Sequence, residues 1–233
     1  MGFDSIRLIT FDCYGTLIDW ENGMLAALRP LFSRDGRSVS DQQLLEQYGE
    51  IEAEVESGPY LAYRQVLSRT VQEMGRLLGM AISAKQGADF AETLVQWKPF
   101  ADTVHALRAM KSKFRLGIIS NIDDDLFAET RKTLGVEFDF VVTAQQVRRY
   151  KPSLKNFEEA LRRSGLRREQ MLHAGQSRYH DIMPANALGI PNVWVDRPSA
   201  RPGSGAAKLG VATPTYHVGS LMELARLVTS TDA

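Results

Sequence analysis

The chain has 233 residues, 44% of them hydrophobic and 24% charged, enough to bury a sizeable core as one large or two smaller domains. Its 28 basic and 28 acidic side chains cancel, so no global field favours nucleic acid or a membrane surface as partner. The single cysteine, Cys13, excludes an internal disulfide, and no apolar run nears the ~20 residues of a membrane span; a cytoplasmic location is expected.

Residues 9–19, ITFDCYGTLID, are the stretch around which the rest of the chain is organised. Ile6, Leu8, Ile9 and Phe11 read as a buried strand, and Asp12 stands where that strand gives out, beside Gly15 of a tight turn. In an open parallel α/β sheet the ligand crevice lies outside the carboxyl ends of the strands, which makes Asp12 a candidate nucleophile. A cap for the following turn is the other reading. Residues 21–33, 41–56, 60–78 and 84–96 show helical spacing with no convincing strand, which predicts an all-helical insert. Ser40 or Asp41 caps its second helix, Gly58-Pro59 separates that helix from the third, and Gly79 closes the third. Trp20 and Trp97 mark the ends of the insert, where large rings suit interdomain packing.

From Pro99 strand and helix alternate: helix over 100–113, strand over 114–120, helix over 123–134, strand over 138–143, helix over 154–164, strand over 171–175, helix over 179–188 and strand over 192–195. Such units predict a doubly wound parallel sheet with right-handed crossovers and helices on both faces. Residues 197–214, rich in Pro, Gly, Ala and Ser, are expected to form a mobile surface loop. A short strand at 216–218 and a helix starting at Gly219 or Ser220 complete the chain. The expected division is a core of residues 1–18 and 98–233 and a cap domain of residues 19–97.

Four polar clusters fall at predicted strand ends: Asp12 to Thr16, Ser120-Asn121, Lys151, and Gly175 to Asp181. Each alone has an ordinary structural explanation, since a Ser-Asn pair commonly caps a helix and a lysine before proline is commonly solvated. Their convergence carries the argument, because a parallel sheet sets all such tips along one edge. His105, His173 and His217 are scattered, fit neither a metal site nor a triad, and are expected to be structural. Cys13 is expected to point into the core behind Asp12.

In order, Asp12-Cys13-Tyr14-Gly15-Thr16, Ser120-Asn121, Lys151-Pro152 and Gly175-Gln176-Ser177 with Asp181 resemble the four motifs of the haloacid dehalogenase superfamily, across essentially the whole chain. The resemblance implies a Rossmann-like α/β core, an inserted α-helical cap domain and a hydrolase with an aspartate nucleophile. Superfamily phosphatases carry DxDGT in the first motif and GDSxxxD in the fourth; here Tyr14 and Gln176 each replace an acid. Mg²⁺ prefers charged oxygen ligands, and a phenol with a pKa of about 10 is a poor proton donor to an alkoxide. Phosphoryl transfer therefore lacks two of its parts.

The DxYGT form resembles the type II L-2-haloacid dehalogenases, which use no metal or other cofactor. On that resemblance Asp12 displaces halide from a small 2-haloalkanoic acid, forming an aspartyl ester that water hydrolyses. Lys151 holds the nucleophile ionised, and Asp181 pairs with Lys151 or helps activate water. Thr16 and Ser120 complete the catalytic group, while Tyr14, Asn121, Gln176, Ser177, Arg178 and His180 are expected to bind substrate. The resemblance also implies a homodimer acting on a small-molecule carboxylic acid, with neither nucleic acid nor membrane as partner.

Two features depart from the dehalogenases. Those enzymes carry an arginine early in the cap, whereas residues 38–63 here hold no Arg or Lys and include Glu46, Glu50, Glu52, Glu54 and Glu56. Arg64, Arg69 and Arg178 are the candidate cations for a substrate carboxylate. Phe157 also stands six residues after Lys151, where dehalogenases tend to have tyrosine. The strings FDCYGTLIDWE, ISNID, GVEFDFVVTAQ, YKP and SRYHDIMPAN are similar to the L-azetidine-2-carboxylate hydrolase branch, which opens a strained ring by C-N cleavage with the same aspartate. An amine leaving group needs a proton, for which His180 or Tyr14 is a candidate. Cleavage of C-N in a strained cyclic amino acid is thus the alternative, and a Mg²⁺-dependent phosphatase the other.

Overall fold

The structure is a computed structural model that describes residues 3–33, 39–199 and 206–230. Its centre is β1 (Leu8–Phe11), every residue of which is buried. The strand is apolar throughout because helices cover both faces of the sheet. It lies between β2 (Arg115–Ser120) and β4 (Met171–Gly175), with β3 (Phe140–Thr143) outside β2, and β5 (Asn192–Val195) then β6 (Tyr216–Val218) outside β4. The order is β3-β2-β1-β4-β5-β6, and every pair is parallel. Chain connections diverge to either side of β1, so its carboxyl end is the topological switch point at which such sheets bind ligands. Phe11 is level with Ile118 of β2 and Ala174 of β4. Asp12 therefore leaves the sheet beside the tips of both neighbours.

Between β1 and β2 run α1 (Trp20–Phe32), α2 (Asp41–Ser57), α3 (Tyr63–Leu77) and α4 (Ala84–Glu92), the last continued by a 3₁₀ turn, Thr93–Gln96. Ser40 and Gln43 form a capping box on α2, and Ser83 and Gln86 another on α4. The two ends of this helical segment are held together: Asp19 N–H donates to Lys98 O at 2.8 Å, and the Trp97 ring packs so closely on Gly23 that an added Cβ would lie 2.3 Å from it. Around the sheet lie α5 (Thr103–Lys111), α6 (Asp124–Thr130), α7 (Ala144–Val147), α8 (Leu154–Ser164), α9 (Met183–Ala187) and α10 (Leu221–Thr229). No described helix is long and apolar enough to cross a membrane.

Three elements differ from the sequence expectation. The helix expected over 179–188 opens with a π-helical turn, Arg178–Ile182, before α9. Ser177 causes this by capping: its O accepts from Asp181 N and Ile182 N, and its Oγ accepts from His180 N. The short α7 was not anticipated; the Thr143 side chain caps it and Arg148 ends it in the left-handed region. Lastly, residues 200–205 of the expected mobile loop lie outside the described residues, and its flanks are not loose. The Arg197 guanidinium is buried, pairing with Asp102 at 2.9 Å and donating to Thr16 O. Ala206 and Ala207 are buried against Gly49 of α2, where an added Cβ would sit 2.6 Å from Ala206 O. A stretch that reads as a flexible linker thus has backbone packed directly on a helix, at the cost of any side chain at position 49.

Candidate active site

The turn after β1 is built by backbone. Leu17 N–H and Ile18 N–H both donate to Cys13 O, and Gly15 adopts φ 92°, a left-handed conformation suited to glycine. Cys13 is fully buried in the core. The turn aims Thr16 back at Asp12: its Oγ1 donates to Asp12 Oδ2 at 2.8 Å and accepts from Gln176 N–H at 2.9 Å, tying the first cluster to the fourth.

Lys151 reaches the same point from beyond β3. Its ammonium donates to Asp12 Oδ1 at 2.8 Å, Asp181 Oδ1 at 2.6 Å and Ile119 O at 3.0 Å, which uses all three of its protons. Asn121 braces its backbone, accepting from Lys151 N–H at 2.6 Å and donating to Lys151 O at 3.2 Å. Asp181 is fully enclosed, with Oδ2 accepting from Ser177 N–H at 3.2 Å and Oδ1 3.3 Å from His173 Nε2. His173 Nδ1 rests 3.0 Å from Thr10 Oγ1, so this histidine supports the site from β4. Gly175 permits the approach, since an added Cβ would lie 2.5 Å from Asp181 Cγ.

Burial works against the Lys151 charge, but Asp12 and Asp181 outweigh it and hold the ammonium above its usual range. Burial works against the Asp181 charge too, yet Lys151 and His173 together hold this carboxyl well below the usual range. Asp12 keeps a partly open face. Burial, with the Asp181 charge, holds it above the usual carboxylate range, against the downward pull of Lys151 and Thr16.

The opposite wall comes from α2. Glu52 and Glu56, four residues apart, share one helical face with Tyr48. Glu52 Oε1 accepts from the hydroxyls of Tyr48 and Tyr63, each at 2.8 Å. Glu56 accepts from Asn121 Nδ2 at 3.2 and 3.3 Å, and its Oε2 is 3.8 Å from His180 Nε2. Burial raises Glu52 to about 7 against the pull of the two tyrosines. Burial and the Glu52 charge raise Glu56 as well. Burial lowers His180 to about 4, leaving its imidazole neutral at pH 7. Between the walls is a cavity of about 40 Å³, room for a few small atoms.

Asp12, Ser120, Lys151 and Asp181 line this cavity, as do Tyr14, Asn121, Gln176, Ser177 and His180; Thr16 stands behind Asp12. Tyr14 contributes its ring only. Its hydroxyl bonds Thr130 Oγ1 at 2.7 Å, away from the reacting atoms, which removes it as a proton donor. Arg178 does not reach the cavity: Nε donates to Ala212 O at 2.8 Å and the guanidinium lies 5.1 Å over the Trp194 ring. Arg64 pairs with Glu92 and Asp125, and Arg69 is exposed. Among the described residues, no arginine lines the cavity. Phe157 is buried against His173, centroids 4.8 Å apart. Trp20, Glu52, Glu56, Tyr63 and Ala207 also line the cavity. The legible signal for the glutamates was their place on the stripe that carries Tyr48; Ala207 gave none.

Among the described residues no three His, Cys, Asp or Glu side chains gather into a metal-binding set. The Lys151 ammonium instead fills the space between Asp12 and Asp181.

The family model for haloacid dehalogenase-like hydrolases matches residues 6–189. An (S)-2-haloacid dehalogenase from Pseudomonas fluorescens is 26% identical over 232 residues, covering 98% of this chain and 99% of that one. A glyceraldehyde 3-phosphate phosphatase from Methanothermobacter thermautotrophicus is 30% identical over 82% of this chain and 86% of its own. Among solved structures, an L-2-haloacid dehalogenase from Xanthobacter autotrophicus with chloropropionic acid covalently bound superposes with a TM-score of 0.79, at 19% identity, covering 97% of this chain and 100% of that one. The matched span takes in β1, β2, β3 and β4 with every side chain that binds Lys151, and this chain belongs to the haloacid dehalogenase-like hydrolase family.

Proposed function

We propose that this enzyme hydrolyses a small 2-substituted carboxylic acid, halide being the leaving group, through an ester on Asp12 and without a metal ion. The observation that carries this is the seat of Lys151 Nζ, 2.8 Å from Asp12 and 2.6 Å from Asp181. The ammonium supplies the counter-charge for both acids from within the chain, bonding Oδ1 of each. The amide of Gln176 would offer Mg²⁺ a weaker ligand than a carboxylate.

In the first step an Asp12 oxygen attacks C2 of the substrate, the C-O bond forms as the C-X bond breaks, and halide departs with the electron pair. No proton is needed. In the second step water attacks the carboxyl carbon of the ester, releasing the 2-hydroxy acid and a proton and restoring Asp12. Lys151 balances the nucleophile's charge throughout, and Asp181 with His173 keeps Lys151 in place. The Trp20 indole N–H and Ser120 stand at the cavity to receive the substrate carboxylate. The helices of residues 19–97 act as a cap that excludes water during displacement.

The relatives support the reading: one is a haloacid dehalogenase of similar length, and another holds chloropropionic acid covalently. The test is halide release, read with an ion-selective electrode, from 2-chloro-, 2-bromo- and 2-fluoropropanoate with and without chelator, Asp12→Asn being the control. In ¹⁸O-water, a single turnover should place label in the Asp12 side chain. Chelator-sensitive release of phosphate from a generic phosphate ester, with no halide from any acid, would replace this reading with the phosphatase one.

A further inference from the structure

The cap wall of the cavity has the wrong charge for a substrate that is only an anion. Lys151 is the single cation lining it among the described residues, and its three protons are taken. Four carboxyl groups face it: Asp12 and Asp181 from the sheet, Glu52 and Glu56 from α2. The glutamates are not surface acids that happen to turn inward. Glu52 is 3% exposed, the Glu56 side chain 4%, and their partners are neutral hydroxyl and amide donors. A buried carboxyl without a counter-charge is costly to keep and is retained at a site that uses it.

A second observation comes from two nitrogens at the same cavity. Trp20 Nε1 and His180 Nε2 are buried and have no hydrogen-bond partner among the described residues. Trp20 is 6% exposed and His180 8%, so what these nitrogens can bond is whatever occupies the cavity they line. The indole N–H, a donor only, stands over the Gly15 turn beside Gln176 Oε1 and calls for an acceptor such as a carboxylate oxygen. His180 Nε2 stands 3.8 Å from Glu56 Oε2, close to hydrogen-bond distance but short of it, with Ser177 Oγ on its other nitrogen at 3.2 Å. A donor placed against Glu56 meets the acid, and it meets His180 Nε2 as well in the tautomer whose Nδ1–H donates to Ser177 Oγ.

The geometry points to Glu56, with His180 beside it and Glu52 behind, as a subsite for a protonated substrate nitrogen, so that the preferred substrate is a small zwitterion. Its carboxylate lies toward Trp20 and its ammonium against the α2 wall. The assignment rests on the displacement reading above for the chemistry, but the binding it describes does not depend on which bond breaks. The elevated proton affinities of Glu52 and Glu56 agree with a wall that lacks its cation while empty. Where the nitrogen is a substituent, it is retained in the product. Where it is itself the leaving group, the C-N electron pair passes to nitrogen as the ester forms on Asp12, the neutral amine so formed takes up the proton that hydrolysis of the ester releases, and the subsite holds the resulting ammonium.

The experiment compares three substrates at pH 7: 2-chloropropanoate, 3-amino-2-chloropropanoate and azetidine-2-carboxylate. An ammonium bonded to a buried acid is a charge-assisted contact, so kcat/KM for the amino chloro acid should exceed that for 2-chloropropanoate by about tenfold or more. The Glu56→Gln substitution should bring that ratio down by about the same factor. Ring opening of azetidine-2-carboxylate, lost in Glu56→Gln, would show that the nitrogen is expelled. Calorimetric titration of the wild-type protein with 3-aminopropanoate and with propanoate keeps the test independent of turnover and of the variant's folding. The zwitterion should bind about tenfold tighter or better. Silence on every haloacid with this preference intact would defeat the halide reading and leave the subsite standing. Equal or tighter binding of propanoate, or a substrate ratio that Glu56→Gln leaves unchanged, would overturn the subsite.

Discussion

Replacing Lys151 by methionine tests the electrostatic arrangement at its centre. The side chain is 1% exposed and bonds two buried carboxylates. Methionine fills nearly the same volume but leaves both acids without a counter-ion. Removing one partner of a buried ion pair costs about 3 to 5 kcal/mol. At about 2 to 4 °C per kcal/mol for a chain of this size, the melting temperature should fall by roughly 6 to 20 °C near neutral pH. The pH dependence distinguishes lost charge from lost packing. In the wild type Asp181 is held below its unfolded value, so it contributes stability that is present above about pH 4 and lost as pH falls further. In Lys151→Met burial acts unopposed by the lysine, so Asp181 rises above its unfolded value and Asp12, which burial already holds above its own in the wild type, rises further. Their protonated forms are then favoured, and stability is lost as pH rises through the raised values. The gap between the two proteins should be narrow near pH 4 and widest above pH 7, as measured by urea denaturation at a series of pH values. Further substitution of both aspartates by asparagine should restore most of the loss. A gap under about 1 kcal/mol, or one independent of pH, would refute the account.

Tyr14→Phe should cost about 1 kcal/mol of stability through the lost bond to Thr130 and leave kcat within about threefold, because the hydroxyl faces away from the cavity; a kinetic loss far above this would put that hydroxyl on the reaction path. Gly15→Ala meets both a φ of 92° and the Trp20 indole nitrogen 2.8 Å from the new Cβ, so thermal melts should show a loss of about 1 to 3 kcal/mol. Gly175→Ala drives its methyl into Asp181, 2.5 Å from Cγ, and halide release should fall more steeply than the melting temperature. Glu52, raised to about 7 when folded against about 4.3 unfolded, contributes stability that is intact below pH 4.3 and lost as pH climbs through 7, on the order of 3 kcal/mol in all. Glu52→Gln should flatten that decline between pH 5 and 8 in denaturation titrations; an unchanged slope would mean that Glu52 ionises as a surface acid does.

The sheet and the residues at its tips were legible because each is determined locally. A strand such as β1 is an unbroken apolar run, and a parallel sheet puts whatever succeeds its strands on one edge. Asp12, Lys151 and Asp181 are distant in the chain yet meet within hydrogen-bond distance for that reason alone. The positions of α8, β4 and β5 come from the same periodicity and match to the residue. What could not be read is whatever depends on two elements meeting face to face. The acidity of α2 was plain, but an amphipathic helix with five glutamates normally turns them to water. Besides Tyr48 one turn back, the donors that make burial of Glu52 and Glu56 tolerable are Tyr63 from α3 and Asn121 from the tip of β2, which reach them through tertiary packing. Arg178 misleads for the complementary reason: it sits inside a motif, but the π-helical turn that brings Asp181 to Lys151 carries its guanidinium onto Trp194. The segment after Arg197 shows the same limit, since the backbone of Ala206 and Ala207 lies so close to α2 that position 49 has room for no side chain, a constraint no local preference displays. Charge at the site is therefore assigned by the packing of the helical segment on the sheet edge, and among the described residues no cation besides Lys151 lines the cavity wall. The deficit falls to the ligand, which is why selectivity between an anion and a zwitterion is the measurement that separates this site from one built around an arginine.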